Sequence, residues 1–247
     1  MAELSITAIS DTHSRVALPD LLKGCESDIL IHCGDFTAGR TNHLSKSIIH
    51  NSHRQSWKWF LHELSLIRDQ FRSIIVVPGN HDQICECMPE QCQSEMEKIG
   101  VHLLMNDGVI LFEDSETSTV KVWGLPHTPP FGPWFFQGDD MSTYTDNIPD
   151  ATNVIVCHGP PYSILDTIDI RSNNHLGSHD LYNRCLELLD LKAVFFGHIH
   201  SAHGEYHRLG VDYFNCSILD ERYERRYDPV KVKIKIDGSV FNPIVSD

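Results

Sequence analysis

Asp28-Ile29-Leu30-Ile31-His32-Cys33-Gly34-Asp35 decides how the rest of this sequence is read. Asp28–Cys33 is a largely apolar run of strand length, Gly34 permits a tight turn, and Asp35 is a carboxylate left at the strand end. Four other segments follow the same plan. Leu4–Ile9 runs into Asp11-Thr12-His13, and Ile74–Val77 into Gly79-Asn80-His81-Asp82. Asn153–Val156 runs into His158-Gly159-Pro160, and Ala193–Phe196 into Gly197-His198-Ile199-His200. Runs this apolar suit strands covered on both faces. The polar residues after them then stand on loops at strand ends, where distant segments can converge.

The intervening sequence supplies the covering layers. Ser52–Phe71 carries Trp57, Phe60, Leu61, Leu64 and Ile67 at helical spacing. Pro89–Ile99 predicts a helix closed by Gly100. Shorter strands are expected at Val101–Leu104, Val109–Phe112 and Val120–Trp123. Ser178 is placed to cap a helix with Leu181, Cys185, Leu188 and Leu189 on one face. Glu205–Asn215 predicts a hairpin turning at Leu209-Gly210, and Val230–Ile236 alternates as an edge strand with its lysines toward water. The first half reads βαβαβ and the second is richer in β. Two packed sheets flanked by helices, in one domain over 1–247, accommodate both.

Composition narrows the function classes. A hydrophobic fraction of 41% over 247 residues supports a large core. No apolar run approaches the ~18 residues of a membrane span, and the N-terminus lacks signal-peptide character, so a cytoplasmic protein is expected. A net charge of −14 argues against a broad nucleic-acid surface or an anionic membrane. It leaves room for a phosphate-bearing substrate, because bound dications reverse the local sign. Cys85, Cys87 and Cys92 lack paired C-x-x-C spacing, which favours reduced thiols over a zinc site.

Taken one at a time, the motifs are weak. Asp11-x-His13 and His198-x-His200 would each set two donors on one side of extended backbone. Asp35 offers two oxygens and can bridge two ions. Asn80 offers a neutral oxygen, and His81 beside it is placed to donate a proton. His158 ends a core strand. Any one of them occurs as an ordinary turn or core residue. Their order on successive strand ends points to two divalent ions in mixed oxygen and nitrogen coordination.

This pattern, D-x-H, G-D, G-N-H-D, H and G-H-x-H, resembles the calcineurin-like metallophosphoesterase superfamily, over nearly the whole chain. Ser10–Arg15, Asp28–Thr37, His158–Pro161 with Leu165-Asp166, Val194–His200 and Asn215–Ser217 resemble its metallophosphoesterase-domain-containing (MPPED-like) branch most closely. The resemblance implies a four-layer α/β-β/α sandwich and a dinuclear centre. By position, Asp11, His13, Asp35 and His200 would hold the first metal, and Asp35, Asn80, His158 and His198 the second. His81 would donate a proton or contact the phosphate. Mn²⁺ is the favoured ion, with Fe, Zn, Co and Ni compatible with the same donors.

The chemistry expected is hydrolysis of a phosphate ester, with a metal-activated water attacking phosphorus in line. The branch favours phosphodiesters, with cyclic nucleotides among the candidates. Trp134 and Phe135, with Phe136, offer a surface for a base, and Arg15 and Arg40 stand near enough in sequence to contact phosphate. His127 replaces a tryptophan of similar branch members, so the substrate loop differs. A phosphomonoesterase or protein phosphatase is the alternative. Gly34-Asp35 continues as Phe36-Thr37 rather than Asp-Arg-Gly, which counts against the latter. A metal-bound scaffold with little turnover is the alternative of another class.

Overall fold

The computed structural model describes residues 2–38, 51–113, 119–169, 174–236 and 243–245. Its strands form two six-stranded sheets. The first has the order β12-β11-β1-β2-β3-β4, with β1 at Ala2–Ile9, β2 at Ile29–His32, β3 at Ser73–Val76, β4 at His102–Leu103, β11 at Val230–Ile236 and β12 at Pro243–Val245. The second has the order β5-β6-β7-β8-β10-β9. Here β5 is Asp107–Glu113, β6 Thr119–Leu125, β7 Val154–Cys157, β8 Ala193–Phe196, β9 Gly204–Arg208 and β10 Val211–Asn215. Strands β1 to β4 run parallel, as do β6, β7, β8 and β10, so both sheets are mixed. In each parallel set the strands end on the same side.

Three hydrophobic clusters separate four layers. Ile6, Ile31, Ile75 and Val77 of the first sheet meet Val122, Val156 and Phe195 of the second. On the outer face of the first sheet, Leu30, Ile74 and Val76 pack on Leu18 and Leu21 of α1 (Leu18–Leu21), Trp57, Phe60 and Leu64 of α2 (Asn51–Ile67), and Met96 of α4 (Pro89–Lys98). On the outer face of the second, Ile155, Val194 and Tyr213 pack on Leu181 and Cys185 of α6 (His179–Glu187). This is the expected four-layer α/β-β/α sandwich. Period-2 alternation in the strands and the 3.6-residue period in the helices give each layer its apolar face.

Local chemistry sets the helix ends. Ser178 Oγ accepts the Leu181 N–H at 3.1 Å, as an N-cap should. Gly100, at φ +69°, ends the run after α4. Glu63, buried on α2, accepts the Leu18 N–H at 2.8 Å and so satisfies an orphan donor at the start of α1.

Several expectations need correction. Val230–Ile236 is not an edge strand: β11 pairs with β1 on one side and β12 on the other. Its lysines 231 and 233 are still exposed and Val232 and Ile234 buried, because alternation reports faces, not edges. Leu189 is 88% exposed, beyond the end of α6, whereas Leu188 is buried. Helix α2 gives way at Ile67 to a 3₁₀ turn, Arg68–Gln70. The short helices α3 (Gln83–Cys87) and α5 (Ser142–Thr145) had no periodic signal long enough to find them. Among the described residues, no helix is long and apolar enough to cross a membrane.

Phe195 is fully buried between the sheets and stacks on Phe214 at 5.1 Å. Phe195→Ala is expected to destabilise the fold by about 3–5 kcal/mol. In urea unfolding, the midpoint should fall with little change in slope.

Candidate metal centre

The five motifs meet at the strand ends, and the backbone there is not extended. Asp11, His13, Asp35 and His198 take φ values of 56°, 45°, 56° and 70°, the left-handed region that non-glycine residues seldom occupy. The alternation argument for Asp11/His13 and His198/His200 is therefore corrected. Convergence comes from left-handed turns, pinned by hydrogen bonds between loops. Asp11 N–H donates to Gly34 O at 2.9 Å, His13 N–H to Asp35 O at 2.9 Å, and Ser14 N–H to Phe36 O at 3.0 Å. The loops after β1 and β2 are thus zipped together beyond the sheet.

Two glycines let these loops approach. A methyl group at Gly79 would collide with Asp35 Oδ1 and stand 2.6 Å from His158 Cε1. At Gly197 it would collide with Ser10 Oγ and Asp11 Oδ2. Asp82, fully buried, ties the loop after β3 to the one after β2. It accepts the N–H groups of Asp35 at 2.8 Å, Gly79 at 2.8 Å and Thr37 at 2.9 Å. Burial and then the Asp35 charge push Asp82 up to about 7, against the pull of those N–H donors.

Asp35 Oδ2 is the hub. His158 Nε2 lies 3.4 Å from it, His13 Nε2 3.7 Å and His81 Nε2 3.9 Å. Its other oxygen accepts the His81 N–H at 2.8 Å. Asp11 Oδ1 faces His200 Nε2 at 3.4 Å, while Asp11 Oδ2 accepts Ser217 Oγ–H at 2.7 Å and His198 N–H at 3.0 Å. Burial opposes ionisation of both aspartates. The His158 charge at Asp35, and the His200 charge at Asp11, nonetheless hold them below the usual carboxylate range.

Ring orientation shows what these donors lack. His158 Nδ1 donates to Cys33 O at 2.9 Å, so its neutral form turns the Nε2 lone pair toward Asn80 Oδ1 at 2.9 Å and Asp35 Oδ2. His200 likewise donates from Nδ1 to Asp220 O at 2.9 Å and presents Nε2 to Asp11. Converging lone pairs call for a proton or a metal cation. Asp11 Oδ1 and His13 Nε2 are buried with no hydrogen-bond partner among the described residues. Three donor groups could each hold an ion: Asp11/His13/His200, His13/Asp35/His81 and Asp11/Asp35/His158. The donor set fits hard-to-borderline divalent ions.

The remaining sequence candidates divide. His198 is in none of those three groups, and its ring abuts His158 at 5.0 Å. Trp134 lies 4.3 Å from His81. Phe135 and Phe136 are corrected to core residues, buried with the α2 cluster, so they offer no surface to a base. His127 stacks on Tyr144 at 3.6 Å, and burial lowers it to about 4. Arg15 is exposed, its guanidinium 5.6 Å from the Tyr223 ring centre. Arg40 lies outside the described residues. Cys85 and Cys92 are buried thiols of the helical layer, with Cys85 pushed well up by burial.

Sequence reasoning missed the supports. His32 Nδ1 accepts the Gly34 N–H at 3.2 Å, which leaves Nε2–H for Thr12 Oγ1 at 2.9 Å. One ring thus braces both the Asp11-Thr12-His13 and Gly34-Asp35 turns. Tyr223 stands 4.9 Å from His13. A histidine ending an apolar strand was a usable signal for His32; nothing marked Tyr223.

Fold and site together define a metal-dependent phosphoesterase, and the comparisons agree. A family model described as Calcineurin-like phosphoesterase matches residues 4–202, and the chain belongs to that family. Metallophosphoesterase domain-containing protein 1 of Homo sapiens is 26% identical over 255 residues, spanning 93% of this chain and 69% of that protein. Among solved structures, phosphopantetheinyl hydrolase (PptH) of Mycobacterium tuberculosis aligns with a TM-score of 0.60 at 15% identity, covering 90% of this chain and 92% of that one. TT1561 of Thermus thermophilus aligns at 0.58 and 14%, covering 87% and 89%. These two bear on the fold. Family membership makes this chain a hydrolase of phosphate esters that uses divalent metals.

Two outcomes follow from the geometry. Ser217→Ala removes a hydrogen bond that orients Asp11 and should weaken divalent-metal affinity about 10- to 100-fold in a calorimetric titration. Burial lowers His158 and His200, but Asp35 and Asp11 respectively raise each above its ordinary 6.5, to about 9. Without metal both rings therefore keep their protons at pH 7, and that stabilisation fades as pH rises through about 9. Metal binding at pH 7 should release about two protons, fewer at higher pH. Titrations in buffers of different ionisation enthalpy measure this.

Proposed function

We propose that this protein is a cytoplasmic phosphodiesterase acting on a small-molecule phosphate ester, with cyclic nucleotides among the candidate substrates. Asp11, His13, Asp35 and His200 would hold one ion and Asp35, Asn80, His158 and His198 the other. Mn²⁺ is the favoured ion on this mixed oxygen and nitrogen, thiolate-free donor set, and Fe, Zn, Co and Ni remain compatible. When bound, the ions supply Lewis acidity toward phosphoryl oxygens and lower the pKa of a water.

The observation that carries the reading is the position of His81. Its ring stands edge-on to His13 at 4.7 Å and 3.9 Å from Asp35 Oδ2, with Trp134 over it. From there His81 delivers a proton to the departing ester oxygen. Trp134 supports a planar group on the departing arm, and the partly exposed Phe131, 4.9 Å from His198, extends that surface. The hydrogen-bonded turns beneath hold the donors in place, which limits reorganisation during the reaction.

The test is turnover of an aryl phosphodiester and its matching monoester by metal-stripped protein given Mn²⁺. Diester preference is expected. Monoester preference would move the assignment to a phosphomonoesterase, and no turnover with metal bound would favour a scaffold. Asp35→Ala should abolish metal binding. His81→Ala should cut kcat about 10²- to 10⁴-fold while metal content survives. Equal metal loss in both variants would make His81 a ligand instead.

A further inference from the structure

Tyr223 reaches the metal ligands from a turn that lies outside all five motifs. Asp220 Oδ1 accepts the N–H groups of Arg222 at 2.8 Å and Glu224 at 3.1 Å. Asp220 N–H donates to Glu224 O at 2.9 Å, and Tyr223 N–H to Asp220 O at 2.8 Å. The turn closed by these four bonds holds Tyr223 at φ 60°, a strained value for an aromatic residue. The Asp220 carbonyl that receives Tyr223 N–H is also the acceptor of His200 Nδ1–H. One peptide group therefore orients a metal ligand and aims the tyrosine.

The ring is not placed as a core side chain. It stands edge-on to His13 at 4.9 Å and to His200 at 5.4 Å, with 37% of the residue exposed. Arg15 lies 5.6 Å from its centre, a contact that stiffens the ring and sets a positive charge at the rim. Trp134 and Phe131 flank a different pair of imidazoles, His81 and His198. The rim thus has two aromatic faces on different pairs of histidines. The face beside His81 adjoins the departing arm. In an in-line displacement the retained arm is an equatorial substituent of phosphorus, directed to a flank of the site.

We propose that Tyr223, backed by Arg15, determines specificity by receiving the ester arm that stays on phosphorus, and so selects diesters whose retained arm carries a planar ring. This rests on the phosphodiesterase reading above.

The experiment compares bis(4-nitrophenyl) phosphate with methyl 4-nitrophenyl phosphate. The leaving group is the same and only the retained arm differs. Comparing the ratio of their kcat/KM values between variants cancels the intrinsic reactivity of the two esters. Tyr223→Ala should lower the ratio about 2- to 10-fold, chiefly through KM. Tyr223→Phe and Tyr223→Trp should restore it, and Arg15→Gln should shift it the same way by less. Metal content should match wild type throughout. An unchanged ratio in Tyr223→Ala, or a fall accompanied by metal loss, overturns the proposal. Should wild type hydrolyse neither ester, the phosphodiesterase reading fails, and calorimetric binding of diphenyl against dimethyl phosphate to metal-loaded protein decides this one. Diphenyl preference erased by Tyr223→Ala upholds the contact of Tyr223 with an aryl arm, and equal binding overturns it.

Discussion

A buried carboxylate facing three imidazoles is the constraint from which the rest of this structure follows. Asp35 is almost wholly shielded from water, and its Oδ2 lies within 4 Å of His13, His81 and His158. Burying an ionised carboxylate is costly unless positive charge and hydrogen bonds replace its hydration. Here the replacements arrive from three other chain segments. Each must be held at the correct place without water filling the gaps, and parallel strands that end on one side meet that demand. Their loops start from buried strands, so every donor sits a few residues from the core.

That arrangement requires local backbone conformations that are unfavourable alone. Asp11, His13, Asp35 and His198 occupy left-handed conformations, and collisions at Gly79 and Gly197 forbid even a methyl group. Such conformations persist where the surroundings over-determine them. The Asp82 carboxylate, the His32 ring and the backbone zipper between the first two loops supply that over-determination, and neither Asp82 nor His32 is among the proposed ligands. Strain in the turns is held by hydrogen bonds in the layer beneath.

The legible parts of the sequence were those set by periodicity and by chemistry at strand ends. Apolar runs located the inner strands, and the residues following them marked side chains that converge at the strand ends. Legibility failed where three-dimensional context decides. Alternation correctly gave the faces of Val230–Ile236, yet it carries no information on whether another strand pairs outside it. Phe135 and Trp134 are neighbours of similar character, and only the path of the loop sends one to the core and the other to His81. Tyr223 sits in a polar stretch, Asp-Glu-Arg-Tyr-Glu-Arg-Arg-Tyr, which reads as solvated surface. Its placement depends on an Asp-centred turn and a left-handed residue, neither of which has a periodic signature.

The chain's charge has an evident consequence for the order of events. A phosphate ester is an anion, the protein carries −14, and the floor of the site holds two ionised aspartates. Protonated His158 and His200 roughly offset Asp11 and Asp35 in the metal-free state, leaving little net attraction for a second anion. Two bound dications would reverse that balance, adding four positive charges while displacing about two protons. Substrate affinity should therefore be conditional on metal rather than additive with it. Attraction confined to so small a region of an acidic surface favours a compact phosphate ester over an extended polyanion, which would meet repulsion along the rest of its length.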